Sequence, residues 1–312
     1  MQKMTAVVLH RFGGTDGLRV EQVVRPAPGP GEVLVRIAGT SVNPVDLMIR
    51  RGGYPRVGPE RLPYIGGRDV AGHVAETGAG VDPGWMGRAV WGSPDFARGT
   101  FAQHIVLKLS EASAAPAGLP LADAAAVPLA ALTAWQGLHR HGGIAAGQRV
   151  LIHGGSGGVG HFAVQMAKLA GAEVLATASA RNRGLLERLG ADRAIAHDTE
   201  RFEAAAGGVD LVLDLAGGDV QARSWAVLRP GGRLVSAVAE PDPAQVAAKA
   251  ALGSCFFIAE SDGGDLARIA GLVAGDRLRP LIHARFPLEE LAAAQAALEK
   301  GGVAGKIAIT VA

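Results

Sequence analysis

The stretch Arg149-Val-Leu-Ile-His-Gly-Gly-Ser-Gly-Gly-Val-Gly160 joins an apolar segment to a glycine-rich turn. Its glycines at 155, 157 and 160 have the spacing G-x-G-x-x-G, which permits a tight turn, close approach of a pyrophosphate and close helix packing. The free backbone N–H groups of the turn and the positive end of the helix dipole then favour the binding of a phosphate group. The stretch predicts a strand, a cofactor-binding turn and a helix, or alternatively a purely structural turn. The candidate contacts are Gly155, Ser156, Gly157, Gly158, Val159 and Gly160.

The composition is that of a globular protein large enough for two domains. Of the 312 residues, 48% are hydrophobic and 19% are charged. The net charge of +2 and the lack of a dense Lys/Arg run argue against nucleic-acid or membrane binding. The single cysteine, Cys255, excludes an internal disulfide framework. The chain start lacks the apolar core of a signal peptide, so we expect a cytoplasmic protein.

The hydrophobic pattern changes near residue 121. Before it, short alternating segments separated by Gly/Pro turns predict an irregular, barrel-like antiparallel domain. After it, strands and helices alternate, which predicts an α/β domain with a six-stranded parallel doubly wound sheet. The predicted strands of this sheet are 149–153, 173–179, 193–196, 210–215, 232–238 and 254–259.

The end of the chain is predicted to return to the first domain. Leu288, Leu291 and Leu298 lie on one helical face, Gly301 follows this helix, and residues 306–311 alternate as a last strand. The predicted domains are therefore 1–121 with 280–312, and 122–279.

The second predicted strand of the parallel sheet points to the kind of nicotinamide cofactor. NAD-binding sheets usually carry an acid at the end of this strand, whereas here it ends Ala176-Thr-Ala-Ser-Ala-Arg-Asn182. Ser179 and Arg181 stand where a 2′-phosphate would lie, and a guanidinium offers paired donors for it. We therefore expect NADPH rather than NADH. Arg183 is a rival for this role, and Arg181 is alternatively a solvated helix residue.

The chain resembles the zinc-free quinone oxidoreductase branch of the medium-chain dehydrogenase/reductase superfamily over essentially its whole length. The resemblance implies a GroES-like catalytic domain followed by a Rossmann domain. The matching segments are SVNPVD (41–46), LPYIGGRDVAG (62–72), LTAW (132–135), HGGSGGVG (153–160), LGAD (189–192), LRPGGRLV (228–235) and GKI (305–307).

Zinc alcohol dehydrogenases of the same superfamily hold catalytic zinc with a Cys and a His from two loops of the first domain. The matching positions here are Asn43 and Arg68, neither of which is a usual zinc ligand, and Arg68 would repel a cation. Asp69 and His73 do not complete a set of three ligands, and the four-cysteine zinc lobe is missing. The resemblance therefore implies an enzyme without a metal.

Without a Lewis acid, reduction of a quinone or an α,β-unsaturated carbonyl is easier than oxidation of an alcohol. By resemblance, Asn43 and Thr133 are expected near the nicotinamide and the reacting oxygen as hydrogen-bonding groups. Tyr54, from its loop position, is a candidate donor to the substrate oxygen. Each has a simpler role: Asn43 as a helix cap, Thr133 bonding back to its helix, and Tyr54 as packing.

Four further residues are candidate cofactor contacts. His197 is a candidate for the 2′-phosphate, and Lys306 for the cofactor's phosphates or carboxamide. Val238 and Phe257, at carboxyl ends of late strands, are candidate backbone contacts to the nicotinamide. His153, at the end of the first strand of the parallel sheet, is expected to be packed rather than catalytic.

Two other functions and an oligomeric state complete the expectations. An enoyl-thioester reductase needs a basic pocket for a carrier's phosphates, and four arginines support that alternative: Arg50, Arg51, Arg56 and Arg61. A non-catalytic NADPH-binding sensor or structural protein is the other alternative. A homodimer is expected, because the apolar segment 255–259 is predicted at a sheet edge where a second copy can pair.

Overall fold

The computed structural model describes residues 2–251 and 253–312, which form two compact units. The first unit contains the chain up to Leu129 together with Ser261–Asp276 and Pro280–Ala312. The second contains Ala130–Glu260 and Arg277–Arg279. Each unit therefore has its own set of packed elements.

Strands occur throughout both units. In the described ranges they are β1 (Lys3–Leu9), β2 (Leu18–Val24), β3 (Glu32–Val42), β4 (Tyr64–Ile65), β5 (Val70–Thr77), β6 (Ala89–Gly92), β7 (His104–Lys108), β8 (Ala112–Ala114), β9 (Arg149–Ile152), β10 (Glu173–Ala178), β11 (Arg193–Ala196), β12 (Val209–Asp214), β13 (Leu228–Ser236), β14 (Cys255–Phe256), β15 (Ile282–Pro287) and β16 (Lys306–Thr310).

The helices are short, and the first of them begins at a proline. In the described ranges they are α1 (Pro44–Arg50), α2 (Leu121–Ala124), α3 (Pro128–Trp135), α4 (Gly160–Leu169), α5 (Arg183–Arg188), α6 (Gly218–Val227), α7 (Pro243–Ala248), α8 (Gly263–Ala274) and α9 (Leu291–Lys300). A π-helical turn, Gln136–His141, continues α3. Among the described residues, no helix combines the length and the apolar character that crossing a membrane requires.

The second unit is built on a parallel sheet with the strand order β11-β10-β9-β12-β13-β14. This confirms the predicted six-stranded parallel sheet. Its strands are rich in apolar residues, and Leu151, Leu175 and Val212 are fully or almost fully buried on neighbouring strands. Because β10 and β12 flank β9 on opposite sides, the winding direction reverses beside β9. In such sheets ligands bind at this point, beyond the carboxyl ends of the strands.

The sheet ends at β14, which is shorter than the predicted strand 254–259. Beyond β14, the side-chain amide of Gln136 bonds both the backbone N–H and the backbone C=O of Glu260, at 2.9 and 3.0 Å. The edge position of β14 is as predicted. The homodimer expected through this edge stays a prediction.

The glycine turn joins β9 to α4 at the point where the winding reverses. Gly154 has a positive φ of 67°, which favours glycine. A Cβ on Gly155 would lie 2.9 Å from the Cβ of Ala176, and one on Gly160 would lie 2.1 Å from the carbonyl oxygen of Gly154. Helix α4 begins at Gly160, so residues 154–159 form the turn between the strand and the helix.

The first unit holds the remaining sheets. One has the order β15-β16-β3-β5-β6-β8, with β7 also paired to β3, and a smaller one has the order β2-β1-β4. The end of the chain joins the first unit as predicted, because β16 pairs antiparallel with β3 and aligns Ile309 with Thr40. A buried apolar cluster that includes Val42, Leu291 and Ile307 holds α9 and β16 in this unit.

Two segments that the sequence assigned to the second domain, 122–129 and 261–276, lie in the first unit. Helix α2 packs so closely on β3 that a Cβ on Gly39 would lie 2.7 Å from the Cα of Ala122. Helix α8 packs on β8, and a Cβ on Gly263 would lie 2.5 Å from the carbonyl oxygen of Ala112. These tight contacts between distant segments have no local sequence signal.

The glycine turn predicts unequal effects of two alanine substitutions. Gly160→Ala should lower the melting temperature, because its Cβ would lie 2.1 Å from the Gly154 oxygen and overpacking costs about 1–3 kcal/mol. Gly157→Ala is the matched control, since its Cβ would meet the same oxygen at 3.3 Å. Calorimetry of both variants checks this, and equal melting temperatures would contradict it.

Candidate active site

The turn after β9 presents unused backbone donors in the second unit. The N–H of Gly157 donates to the Gly154 carbonyl at 2.9 Å, whereas the N–H groups of Ser156, Gly158 and Val159 donate to none of the residues that the structure describes. A Cβ on Gly157 would meet nothing closer than 3.3 Å. Free donors at the start of a helix suit an anionic group such as a pyrophosphate.

The end of β10 carries cations and no acid of its own. Arg181 is exposed, and none of the described carboxylates pairs with it. The rival Arg183 is engaged, because it pairs with Glu200 at 2.9 Å. The nearby carboxylate of Asp198 accepts the backbone N–H of Ala180 at 2.8 Å. The side chain of Arg181 is therefore the more available of the two arginines.

Asp214, at the end of β12, organises the carboxyl edge of the sheet and was not anticipated from the sequence. It is fully buried and accepts hydrogen bonds from the Gly217 N–H, the Gln221 amide and the Ser236 hydroxyl, at 2.8 to 2.9 Å. The oxygen of Ser236 in turn accepts the N–H of Val238 at 3.2 Å. An acid that follows an apolar strand was the available signal for this role.

The other candidates of the second unit lie in different environments. Val238 is exposed, Phe257 is buried and stacks on His141 with a centroid distance of 4.6 Å, and His197 is exposed. Thr133 is buried on α3. The cofactor contacts of Val238, Phe257 and His197, and the hydrogen bond assigned to Thr133, stay predictions.

His153 is a packed residue at the end of β9. Its ring nitrogens lie 3.2 Å from the Thr177 hydroxyl and 2.9 Å from the Ser224 hydroxyl. Burial lowers the pKa of His153 to about 4, although Asp214 acts in the opposite direction. The imidazole is therefore neutral at neutral pH, and its hydrogen bonds tie β9 to β10 and α6.

Asn43 stands at the centre of a buried polar cluster in the first unit. Its side-chain amide nitrogen donates to Asp69 at 2.7 Å, and its side-chain oxygen accepts from the ammonium of Lys306. The backbone of Asn43, not its side chain, holds the start of α1, since its carbonyl accepts the N–H of Asp46 at 2.9 Å. The side chain is therefore committed to long-range partners rather than to capping.

The cluster combines one buried cation with a buried acid. Lys306 is 3% exposed and its ammonium lies 3.5 Å from Asp69, which is fully buried. Asp69 also accepts the Ser41 hydroxyl and the backbone N–H of Leu129. Burial lowers the pKa of Lys306, while Asp69 and Asp46 raise it. Lys306, the candidate contact to the cofactor's phosphates or carboxamide, thus has Asn43 and Asp69 as the partners of its ammonium.

Tyr54 and Arg68 share one aromatic neighbour. The Tyr54 ring packs against Phe96 at a centroid distance of 4.8 Å, and the guanidinium carbon of Arg68 lies 3.8 Å from the Phe96 centroid. Burial raises the pKa of the Tyr54 hydroxyl, although Arg56 and Arg68 lower it. The hydroxyl therefore keeps its proton at neutral pH and can donate a hydrogen bond.

The four arginines of the thioester alternative do not form one basic pocket. Arg50 and Arg51 both pair with Glu299. The guanidinium carbon of Arg56 lies 5.8 Å from the Phe96 centroid, and that of Arg61 lies 5.5 Å from the Tyr64 centroid. Only the latter two are free of carboxylate partners among the residues described.

Known proteins resemble this chain across both units. Residues 29–117 match a model described as the alcohol dehydrogenase GroES-like domain, and residues 189–309 match one described as zinc-binding dehydrogenase. The mitochondrial NAD(P)H oxidoreductase RTN4IP1 of Bos taurus is 30% identical, with 99% of this chain and 89% of that protein covered. A chloroplastic quinone-oxidoreductase homolog of Spinacia oleracea is 38% identical over 63% of each chain.

A solved structure also resembles the chain over its whole length. The quinone oxidoreductase from Coxiella burnetii superposes with a TM-score of 0.92 at 31% identity, with all of both chains covered. The first unit therefore has the GroES-like fold and the second the Rossmann fold, and together they define an NAD(P)H-dependent oxidoreductase. The chain belongs to the medium-chain dehydrogenase/reductase superfamily.

The burial of Asp46 predicts a pH-dependent stability. Burial raises the pKa of its carboxyl from 3.8 to about 7, with Asp69 acting in the same direction and the Asn43 N–H opposing. The folded state therefore holds a proton that the unfolded state loses above pH 3.8. Stability should fall as the pH rises through this window, by up to about 1.4 kcal/mol per pH unit.

Asp46→Asn tests this, because an amide oxygen still accepts the Asn43 N–H without titrating. Melting temperatures of both proteins should be measured between pH 5 and pH 8. The wild type should lose more stability than the variant up to pH 7, since all other groups are common to both. Parallel curves for the two proteins would show that Asp46 does not titrate in this window.

Proposed function

We propose that the protein is an NADPH-dependent, zinc-independent reductase that delivers a hydride to quinones or α,β-unsaturated carbonyl compounds. One observation carries the proposal. Asn43, at the position that resembles a zinc ligand, is held by Asp69 and Lys306 as a hydrogen-bonding group. An amide beside an ammonium is a poor environment for Zn²⁺. The second such position holds Arg68, whose cationic side chain does not fit the metal either.

The partners of Asn43 determine what its side chain can do. An ammonium is only a donor, so Lys306 identifies the amide atom next to it as the oxygen. The amide nitrogen then uses one N–H on Asp69 and retains the other. We assign that second N–H to the carbonyl oxygen of the acceptor. Lys306 and Asp69 are thus positioning residues for Asn43.

Acceptor binding is assigned to Tyr54 in the first unit and to Thr133 in the second. The bound nicotinamide supplies the hydride, and the protein orients the acceptor and excludes water. Tyr54 donates a hydrogen bond to the acceptor oxygen or covers the ring, since its buried hydroxyl stays protonated. Thr133 is assigned a hydrogen bond to the nicotinamide or the reacting oxygen by resemblance.

The residues at the sheet edge fit a nicotinamide dinucleotide. The N–H groups at 156, 158 and 159, unused among the described residues, suit its pyrophosphate. Val238 and Phe257 come shortly after β13 and β14, which supports their assignment as backbone contacts to the nicotinamide. Preference for NADPH is supported by Arg181, which has no carboxylate partner among the described residues, with Ser179 and His197 beside it in the predicted pocket. NADH is the competing cofactor, with Asp198 as the acid for its ribose.

The cofactor assignment predicts different effects for two neighbouring arginines. Arg181→Ala should reduce the ratio of kcat/KM for NADPH to that for NADH by about 10- to 100-fold, because it removes a charge-assisted bond to the 2′-phosphate. Arg183→Ala is the control and should leave the ratio unchanged, since Arg183 is paired with Glu200. The measurement is the initial rate with a quinone and with an enone acceptor.

Four results would contradict parts of this proposal. Equal use of both cofactors by the wild type would remove the NADPH assignment, and loss of NADH use in Asp198→Ala would identify that acid as the ribose partner. Turnover of an enoyl-thioester alone would favour the thioester alternative. Tight NADPH binding without turnover of any acceptor would favour a non-catalytic sensor.

A further inference from the structure

Arg68 is a buried cation that pairs with no carboxylate among the residues that the structure describes. The residue is 3% exposed, and none of the described carboxylates lies within 4.0 Å of its guanidinium nitrogens. Its Nε donates to the Pro94 carbonyl at 2.7 Å, and the two terminal nitrogens donate to no described residue. Burial lowers the pKa of Arg68. A buried charge is costly unless it is paired, so an unpaired guanidinium is unexpected in a purely structural role.

The neighbouring acids are used elsewhere. Asp69, the next residue in the chain, accepts from Ser41, Asn43 and Leu129. The Asp46 carboxylate accepts the N–H of Asn43 at 2.7 Å. Both acids stabilise the charge of Arg68 only from a distance. The fold therefore keeps the terminal N–H groups of Arg68 available.

Aromatic rings and a second cation surround Arg68. Its guanidinium lies over the Phe96 ring, and Tyr54 packs against the same ring. Arg56 approaches this ring at 5.8 Å and adds a second positive charge. Aromatic rings supply apolar surface, and a guanidinium supplies paired donors for an oxygen.

We propose that Arg68 binds the acceptor oxygen that becomes negatively charged during reduction. This rests on the proposed function. The hydride forms a C–H bond at the β-carbon of an enone as the C4–H bond of the nicotinamide breaks. The electron pair of the C=C bond moves to the carbonyl oxygen, which bonds to the terminal N–H groups of Arg68. The C=O bond then re-forms as the α-carbon takes a proton from water, hydroxide is released to the solvent, and Arg68 stays protonated throughout.

In this proposal, Arg68 stabilises the oxyanion in place of a Lewis acid. A metal would stabilise the developing oxyanion by its charge. A preorganised, desolvated guanidinium supplies charge and two donors at the same oxygen without reorganisation. Its stacking on Phe96 and its bond to Pro94 hold the plane of the guanidinium in place.

A stable anion tests this subsite without turnover. The probe is 4-nitrophenol, whose phenolate resembles the reduced oxygen of a quinone and absorbs visibly on ionisation. Titration into the NADPH-free wild type above the probe's pKa should show saturable binding. Arg68→Met keeps a long apolar stem over Phe96, and should weaken phenolate binding by about 10- to 100-fold.

Kinetic and control measurements separate a direct role from a structural one. In Arg68→Met, kcat/KM for the acceptor should fall by about 100-fold or more, while the affinity for NADPH is unchanged. Arg88→Met is the matched control, because Arg88 lies over Trp85 at 5.5 Å but is exposed. It should change neither quantity. Arg68→Lys keeps the charge and should retain part of the phenolate affinity.

Each outcome has a defined meaning. Phenolate affinity within twofold of wild type in a folded Arg68→Met variant would overturn the proposal, as would no phenolate binding by the wild type. If Arg68→Met does not fold, an unchanged phenolate affinity in Arg68→Lys together with unchanged kcat would overturn it. Phenolate binding that depends on Arg68, without turnover of any acceptor, would support the subsite and refute the proposed reductase.

Discussion

The contact of the Lys306 ammonium with Asn43 and Asp69 is the interaction on which the first unit and its chemistry depend. It joins three distant segments: the last strand β16, the end of β3, and the loop before β5. A buried ammonium is costly unless acceptors surround it. Beside the apolar cluster that holds β16, this contact links the returning chain end, the Asn43 amide and the buried Asp69 by one electrostatic interaction.

The same contact supports the proposal that the reaction needs no metal. Lys306 and Asp69 hold the Asn43 amide so that a donor remains for an acceptor oxygen, and Arg68 carries an uncompensated charge over Phe96. In the proposed reaction, the Asn43 amide as a donor and the Arg68 guanidinium as a charged donor provide the electrostatic stabilisation that a Lewis acid otherwise provides. The second unit contributes the unused N–H groups of its glycine turn, at the place where the winding of the sheet reverses.

Local patterns predicted much of the fold. The glycine spacing at 155, 157 and 160 and the six apolar strands predicted the parallel sheet, because turn geometry and strand burial are recorded in neighbouring residues. The partners of Lys306 and the role of Asp214 were not predicted, since they depend on residues far apart in the chain. The positions of α2 and α8 in the first unit were not predicted either. They depend on close contacts at Gly39 and Gly263, which the hydrophobic pattern of the sequence does not indicate.

The central claim is hydride transfer from NADPH to an activated acceptor without a metal. The most direct test is to treat the protein with a chelator, add NADPH that carries deuterium at both C4 positions together with a cyclic enone, and analyse the product by mass spectrometry. We predict one deuterium at the β-carbon and a rate unaffected by chelation. A product without deuterium, or turnover that returns only when Zn²⁺ is added, would contradict the account.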